Sequence, residues 1–442
     1  MTTLRVAVVG AGWAGLSAAV HATRLGHAVT LLEMAPQPGG RARSHAGDGL
    51  DNGQHILIGA YCDTLQLMRQ VGVDPARVLL RRHLLLRMAD GRELRLGGGP
   101  AALSFGLAVA RCTAWTTGER LRLVLAGLQW AAAGFHCDPD ITVDRLCAAL
   151  PRAVRALLID PLCVAALNTP AREASAIVFL RVLRDGLFGV PGASDLLLPR
   201  QPLQSLLPDP AARWLRRHGA QVHAGTRVQT LHRDGGRWQV DGQAFDHVVL
   251  ACGALESARL ARPWNATWAA SAEALRFEPI VTVYVRHHGP PLPEPMLGLA
   301  DGADAPAQFV FDQGQLTGRQ GLLAFVISGA ADWVEAGRDV TAAAVLLQAE
   351  GQLGPLGWCT ERAQVVAVIA ERRATFRATP ALQRPPAHVA PGLWAAGDHV
   401  LGPYPATLEG AVRSGRDVAL ALPEPTRSPA ANSTMQNRVS PG

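Results

Sequence analysis

The chain has 442 residues, of which 48% are hydrophobic, and a chain of this length is expected to form two interleaved domains rather than one core. A formal net charge of +6 is spread in scattered arginines, so we expect no nucleic-acid partner. Seven cysteines without CxxC or metal-ligand spacing predict reduced thiols and no bound metal. No secretory signal or apolar run of about 20 residues is recognisable. We therefore expect a cytoplasmic protein, with peripheral contact to the inner membrane as an open alternative.

The first predicted elements form a βαβ unit, with strands at 4–9 and 28–33 and a helix at 16–25. The turn between the first strand and the helix reads Gly10, Ala11, Gly12, Trp13, Ala14 and Gly15. The first glycine permits a tight turn, the second lets a diphosphate approach the backbone, and the third lets the helix pack on the strand. Glu33 closes the second strand, where its carboxylate can accept hydrogen bonds from ribose hydroxyls. These features together predict a dinucleotide site.

A second glycine-rich segment follows the ribose acid directly. Its candidate cofactor-binding residues are Met34, Gly39, Gly40, Arg41, Ala42 and Arg43. Adjacent glycines allow close approach to a further part of the cofactor, and the arginines supply donors for its diphosphate. Because a plain NAD dehydrogenase has no use for such a clamp, the segment favours FAD. A polar turn with Gly53, Gln54 and His55 comes next and adds three candidate cofactor-binding residues.

The middle of the chain, from about 57 to 215, reads as Leu- and Ala-rich helices, including predicted helices at 64–71, 118–133 and 142–149. Its least polar part, 100–135, is interpreted first as a pair of core helices, with a lipid-facing surface as the alternative. Strand patterns return at 222–231, 237–240, 247–251, 279–287, 308–311 and 322–327.

The end of the chain repeats the strand–turn–helix order. A short strand at 393–396 leads into Gly397 and Asp398, and Ala406 and Thr407 open a helix that runs to 422. An acid at this turn can hold ribityl hydroxyls. The helix N-terminus can stabilise the negative charge of a reduced flavin.

Taken together, these motifs resemble the FAD-dependent amine oxidase and phytoene desaturase superfamily. The resemblance implies an α/β fold: a discontinuous Rossmann-type FAD-binding domain interleaved with an α+β substrate domain. It also implies that Val228, in a strand-like segment, contacts adenine through its backbone. We predict FAD-binding parts at 1–60, 216–262 and 386–422, substrate-domain parts at 61–215 and 263–385, and a disordered tail at 423–442.

Four further segments resemble the squalene-associated branch of that superfamily, the hydroxysqualene dehydroxylases. They are 50–59 (LDNGQHILIG), 166–170 (ALNTP), 194–200 (SDLLLPR) and 404–411 (YPATLEGA). The resemblance implies an enzyme that replaces the allylic hydroxyl of hydroxysqualene with hydride from reduced FAD, giving squalene in bacterial hopanoid biosynthesis. It also implies a long isoprenoid substrate and squalene-synthase-like partner enzymes, whereas the oligomeric state stays open.

Two residues are the candidate catalytic groups for such a reaction. His55 is the first candidate proton donor, because the ordinary pKa of histidine suits proton transfer near neutrality, and Tyr404 is the second. Asp51, Asp195 and Glu409 are weaker candidates. No second glycine motif with strand–helix context is present, so the electron donor is left open. The alternatives are an oxidative carotenoid desaturase, an amine oxidase, which three tyrosines disfavour because no aromatic cage is evident, and a non-catalytic isoprenoid carrier.

Overall fold

The computed structural model describes residues 3–424. The tail expected to be disordered lies outside these residues from 425 onward. The first part of the chain contains β1 (Arg5–Val9), α1 (Trp13–Arg24), β2 (Ala28–Leu32) and β3 (Leu57–Ile58).

The middle of the chain is mainly helical. In order, its elements are α2 (Cys62–Gln70), α3 (Pro75–Val78), β4 (Leu79–Arg82), β5 (Leu85–Arg87), β6 (Glu93–Arg95), α4 (Ala101–Arg111), α5 (Thr117–Ala132), α6 (Val143–Leu146), α7 (Arg152–Val154), a π-helical turn (Arg155–Ile159), α8 (Asp160–Leu167), α9 (Ala176–Leu187), β7 (Leu196–Pro199), α10 (Leu203–Leu206) and α11 (Pro208–Arg217).

Strands dominate the remainder. Its elements are β8 (Gln221–His223), β9 (Leu231–Asp234), β10 (Arg237–Val240), β11 (Gln243–Phe245), β12 (His247–Leu250), α12 (Ala254–Ala261), α13 (Ala266–Glu273), β13 (Phe277–His287), β14 (Met296–Gly298), β15 (Phe309–Asp312), α14 (Gln313–Thr317), β16 (Leu322–Ile327), α15 (Ala331–Ala336), α16 (Arg338–Leu353), β17 (Ala363–Phe376), β18 (His388–Ala390), β19 (Leu393–Ala395) and α17 (Leu408–Ala421).

One sheet gathers strands from both ends of the chain. Its order is β18-β19-β12-β1-β2-β8, and β1 pairs in parallel with both β2 and β12. The β-branched and leucine side chains of the central strands are buried on both faces, as expected for a parallel sheet covered by helices. This arrangement confirms the predicted α/β class and its discontinuous dinucleotide-binding sheet.

Helix α17 packs directly against α1. A β-carbon added at Gly415 of α17 would lie 2.1 Å from the carbonyl oxygen of Ala14, so the two helices approach at backbone distance. Helices α2 and α11 contribute buried side chains to the same hydrophobic cluster, although their residues fall within 61–215. The predicted division into domains therefore stays a prediction, and its boundaries do not coincide with the packing clusters.

The second large sheet is antiparallel, in the order β14-β15-β16-β13-β17. Along β13 the side chains alternate between its faces: Val283 and Val285 join the cluster that includes α16, and Tyr284 joins the cluster that includes α8 and α9. The helical middle of the chain therefore covers one face of this sheet.

Two sequence predictions of secondary structure are wrong, and one long strand is not predicted. The strand expected at 222–231 does not form, because β8 ends at His223 and residues 224–230 have no regular structure before β9. The helix expected at 142–149 is limited to α6. Strand β17, the longest in the described part of the chain, was not predicted at all.

The apolar segment 100–135 forms α4 and α5, as the interpretation as a pair of core helices predicts, and the lipid-facing alternative stays a prediction. Phe105, Val109 and Leu123 are buried in the core, whereas several leucines on the opposite faces of these helices are exposed. Within residues 3–424, no helix is long and apolar enough to cross a membrane.

Candidate cofactor and active site

The first glycine turn requires small residues at two of its positions. Gly10 has φ of +104°, and a β-carbon there would lie 2.7 Å from the carbonyl oxygen of Ala251. A β-carbon at Gly15 would lie 1.9 Å from the carbonyl oxygen of Gly10. At Gly12, by contrast, it would meet only the Cα of Gly40, at 3.9 Å. Gly12 is also the N-cap of α1, and no side chain caps this helix, so its first amides are free to bind an anion.

The structure brings the second glycine turn onto the first. The amide of Gly39 donates to the carbonyl of Ala11 (2.8 Å), and a β-carbon at Gly40 would lie 3.0 Å from the Cα of Gly12. The indole Nε1 of Trp13 donates to the carbonyl of Ala42 (2.9 Å). Thus the two motifs, separate in sequence, form one backbone-lined cradle.

Glu33 lies beside the first glycine turn of this cradle and is almost fully buried. Its carboxylate accepts hydrogen bonds from the amides of Ala11 (2.6 Å) and Ala35 (2.8 Å), so it braces the glycine turn as well as presenting an acceptor. The amide of Thr226 donates to the carbonyl of Glu33 (2.7 Å). This hydrogen bond holds the segment after β8 beside Glu33. Val228, which is predicted to contact adenine, lies in this segment and is not part of a strand.

An ion pair joins the two ends of the chain. A guanidinium nitrogen of Arg41 lies 2.5 Å from a carboxylate oxygen of Asp398, and Arg41 also donates to the carbonyl of Ala374 (2.8 Å). Burial alone would raise the pKa of Asp398, but Arg41 and His399 together outweigh burial and lower it. Asp398 is therefore ionised at neutral pH. Arg43, expected to serve a diphosphate, donates instead to the carbonyl of Gly40.

The other predicted residues of the C-terminal turn hold its backbone. Thr407 is the N-cap of α17 and accepts a hydrogen bond from the amide of Gly410 (3.0 Å). The amide of Gly397 donates to the hydroxyl of Ser414 (3.0 Å). Among the predicted cofactor residues, Met34 has an exposed side chain.

Sequence reasoning missed Arg384, which fixes the turn between Asp398 and α17. Its guanidinium donates to the carbonyls of Asp398 (3.1 Å) and Tyr404 (3.0 Å), and also to that of Gly402. Arg384 lies in an irregular segment with no motif around it, so no local pattern marks it.

His55 follows the polar turn that leads into β3. Its Nδ1 lies 2.8 Å from the carbonyl of Gly53, which can accept a hydrogen bond only if Nδ1 carries the proton. Burial lowers the pKa of His55, and the positive charge of Arg41 acts in the same direction. The imidazole is therefore neutral at pH 7, with Nε2 as an acceptor, which weakens the prediction that His55 is the proton donor. Gln54 accepts a hydrogen bond from Gln313 (2.8 Å).

Tyr404 belongs to a charged cluster that the sequence did not reveal. Its hydroxyl donates to a carboxylate oxygen of Asp185 (2.9 Å), to which Arg181 also donates (2.7 Å). The guanidinium carbons of Arg181 and Arg413 lie 5.4 and 5.1 Å from the centre of the tyrosine ring, within cation–π range. Burial, followed by the hydrogen bond to Asp185, raises the pKa of Tyr404, so the phenol keeps its proton at neutral pH.

The three weaker candidate acids have structural partners. Glu409 is buried and accepts hydrogen bonds from the amides of Asp63 (3.1 Å) and Thr64 (2.9 Å), which caps α2. Asp51 accepts from the hydroxyl of Ser44 (2.5 Å). Asp195 accepts from Arg81 (2.6 Å) and pairs with His83 (2.9 Å).

Several apolar side chains that pack on the helical core cluster are only half buried. These half-buried side chains come from β3 and the residue that leads into it, from the two long strands of the antiparallel sheet, and from the turn before α17. They are Ile56, Ile58, Ile280, Ile369 and Ala406. Half-buried apolar side chains of this kind suit contact with a lipophilic molecule better than with a charged one.

The residues present fit an extended dinucleotide. An uncapped helix end and the open space above Gly12 suit a diphosphate, and Glu33 suits an adenosine ribose. The second glycine turn and Asp398 are suited to contact the half of the dinucleotide that lies beyond the diphosphate. The described residues contain no cluster of His, Cys, Asp and Glu able to hold a metal ion.

Comparison with known proteins agrees with this geometry. Residues 13–422 match the family of flavin containing amine oxidoreductases. The chain is 29% identical over 431 residues to hydroxysqualene dehydroxylase of Rhodopseudomonas palustris, covering 94% of this chain and 97% of that protein. It is 28% identical over 448 residues to hydroxysqualene dehydroxylase of Sinorhizobium fredii, covering 95% and 98%. An oxidoreductase structure from Methanosarcina mazei superposes with a TM-score of 0.72 at 16% identity, covering 94% of this chain and 99% of that one.

Proposed function

The chain belongs to the flavin containing amine oxidoreductase family and is an FAD-dependent oxidoreductase, and on this premise we propose that it reduces hydroxysqualene to squalene. The observation that carries the proposal is the similarity to hydroxysqualene dehydroxylases over 94% of the chain. The aligned region includes the residues proposed to contact the substrate as well as those of the cofactor cradle. The half-buried apolar side chains of Ile56, Ile280 and Ile369 support a hydrocarbon substrate.

FAD is proposed to lie along the cradle. The amides at the start of α1 would bind its diphosphate, Glu33 would accept hydrogen bonds from the adenosine ribose, and Asp398 would accept them from the ribityl chain. The amides at the start of α17 would stabilise negative charge on the reduced flavin. Bound and reduced, FAD supplies a hydride.

The residues of this chain have three tasks in the reaction. Replacing the allylic hydroxyl by hydrogen breaks one C–O bond, consumes one hydride and one proton, and releases water. The apolar side chains hold the hydrocarbon and exclude bulk water. His55, neutral with a free Nε2, accepts a hydrogen bond from the substrate hydroxyl and orients it.

Tyr404 is proposed to supply the proton from its phenol oxygen to the leaving hydroxyl. Its raised pKa keeps the proton in place until the C–O bond lengthens. The guanidinium groups of Arg181 and Arg413 beside the ring then stabilise the phenolate that forms. Asp185 accepts the phenol hydrogen bond before substrate binds, and the O–H turns from Asp185 to the leaving hydroxyl before the proton transfers. On this scheme Tyr404, rather than His55, is the proton donor.

The test is an anaerobic reaction of purified, FAD-loaded protein reduced with dithionite. We expect hydroxysqualene to restore the visible absorbance of oxidised flavin and to yield squalene in equal amount. Tyr404→Phe should keep its FAD but form squalene about 10²–10⁴-fold more slowly. Asp185→Asn is the matched control for the cluster and should lose less, because the phenol remains.

A parallel reaction tests the oxidative alternative. Oxidised protein is mixed with phytoene and a quinone acceptor, and desaturated products are measured. Desaturation without squalene formation in the first reaction would reject the proposal in favour of a desaturase. A yellow protein inactive in both reactions would favour an isoprenoid carrier.

A further inference from the structure

Helix α5 is apolar on two faces. Leu123 and Gly127 are buried in the core, as expected for one face of a surface helix. The opposite face, which is normally polar, carries leucines and valine at i, i+3, i+4 and i+7. With two leucines of α4, the exposed apolar residues are Leu103, Leu107, Leu121, Val124, Leu125 and Leu128, here called the leucine face.

The two helices present these residues on the same side of the molecule. The ring of Phe105 on α4 lies 5.6 Å from that of Phe188, and a β-carbon at Gly127 on α5 would lie 4.0 Å from the same ring. Both helices therefore turn their inner sides toward Phe188. Arg120 of α5 also donates to the carbonyl of Ala110 on α4 (2.9 Å). The outer sides of this tied pair form one surface.

The charges around the leucine face are mainly positive. Arg111 at the end of α4 and Arg122 on α5 are exposed. The acidic Glu119 at this edge is engaged in the capping box of α5, where its carboxylate accepts from the amide of Thr116 (2.8 Å). Exposed leucines bordered by arginines match the chemistry of a bilayer that contains anionic lipids.

We propose that the leucine face docks on the surface of an anionic lipid bilayer. The leucines enter the boundary between headgroups and acyl chains, and Arg111 and Arg122 meet the headgroup phosphates. A protein partner would bury the apolar patch behind a polar rim. The mainly positive border and the isolated stripe of leucines favour an anionic lipid surface over a second copy of the chain, which would bring the same arginines.

The docking surface adjoins the proposed active site. Phe188, on which both helices pack, directly follows α9, and Asp185 in the last turn of α9 binds the hydroxyl of Tyr404. A lipophilic molecule taken up from the bilayer at this surface would thus enter the protein close to the proposed active site. This step alone rests on the proposed function.

The experiment is co-sedimentation of the FAD-loaded protein with vesicles. One set contains phosphatidylcholine alone, and the other contains phosphatidylcholine with phosphatidylglycerol. We expect binding to the second set that weakens as salt rises. Leu125→Glu and Leu128→Glu should each reduce vesicle affinity at least about tenfold, because each removes a buried leucine from the lipid. Arg122→Gln should reduce it by about fivefold.

Leu347→Glu is the matched control. Leu347 is a leucine on α16 that is as exposed as those of the leucine face but lies outside it, so its substitution should leave vesicle binding unchanged. FAD content and circular dichroism identify any variant that misfolds. Squalene formation in detergent micelles, where no docking is needed, should be the same for Leu125→Glu and the wild type, which separates docking from the proposed reaction.

Two results would overturn the proposal. In the first, Leu125→Glu and Leu347→Glu bind anionic vesicles equally well, or the wild type binds neither set. In the second, sedimentation velocity shows that Leu125→Glu converts a dimer to a monomer while no variant binds lipid, which would make the leucine face an interface between copies of the chain.

Discussion

At the scale of residues, the sequence predicts the side chains whose role depends on local backbone geometry. Gly10 and Gly15 could be identified because only glycine tolerates the approaches that the turn requires. Arg384 and Asp185 could not, because each acts on a turn that only the tertiary structure brings near it. The position of Glu33 at the end of β2 predicts its contact with a ribose. The sequence does not predict that Glu33 also braces the first glycine turn.

This second task of Glu33 is testable without cofactor. In FAD-free protein, Glu33→Ala leaves the amides of Ala11 and Ala35 without their acceptor, and we expect the free energy of unfolding to fall by about 2–4 kcal/mol. Glu33→Gln keeps one of the two acceptor oxygens and should lose less than Glu33→Ala. Urea denaturation measures both. Equal stability of Glu33→Ala and wild type would show that Glu33 serves only the cofactor.

The lowered pKa of His55 predicts a dependence of stability on pH. Burial is the main cause of the lowering, so below about pH 6.5 the unfolded chain binds a proton at His55 that the folded protein does not. The stabilisation is therefore complete above about pH 6.5 and is lost as the pH falls toward the folded pKa.

We expect the free energy of unfolding to fall more steeply with acid in the wild type than in His55→Gln, by up to about 1 kcal/mol per pH unit. Other histidines whose pKa is lowered by burial contribute equally to both proteins and cancel in the difference: His21, His27, His247 and His287. Parallel slopes for the two proteins would contradict the neutral, buried state assigned to His55.

At the scale of elements, the sequence predicts the strands and helices whose own residue pattern is clear. It misses those that form only because they pair with a distant segment. Strand β17 contains alanine, glutamate and arginine, which favour helices when considered locally. It forms a strand because it pairs with β13 over ten residues, an interaction between distant segments. Strands β10 and β16, with clear β-branched or alternating patterns, form where they were predicted.

The packing of α17 on α1 gives a prediction for paired glycines. Gly415→Ala would place a methyl group 2.1 Å from the carbonyl oxygen of Ala14, so the helices must separate, and we expect a loss of about 1–3 kcal/mol together with weaker FAD binding. Gly351→Ala on α16 meets nothing within 4 Å and should gain up to about 1 kcal/mol. Thermal unfolding and flavin content of both variants provide the measurement. A gain at both positions would contradict the close approach of the two helices.

At the scale of the whole molecule, cofactor binding depends on distant segments reaching one cradle. The parallel sheet takes strands from both ends and from the middle of the chain, and the Arg41–Asp398 pair fixes the N-terminal cradle to the C-terminal turn across 357 positions. The sequence predicted this meeting because each end carries its own half of a flavin motif. It could not predict the leucine face, since amphipathic periodicity does not say which side of a helix faces solvent.

A ligand that contacts both halves of the cradle should stabilise the molecule more than one that contacts a single half. FAD at 100 times its dissociation constant is expected to raise the free energy of unfolding by about 2.7 kcal/mol. At the same concentration ADP should give less, because it occupies the Gly10–Gly15 end and cannot reach Asp398. In Asp398→Asn the advantage of FAD over ADP should shrink, while stabilisation by ADP stays near that of the wild type. Calorimetric unfolding at matched ligand concentrations decides the matter: if ADP stabilises the wild type as strongly as FAD does, the C-terminal turn takes no part in binding the cofactor.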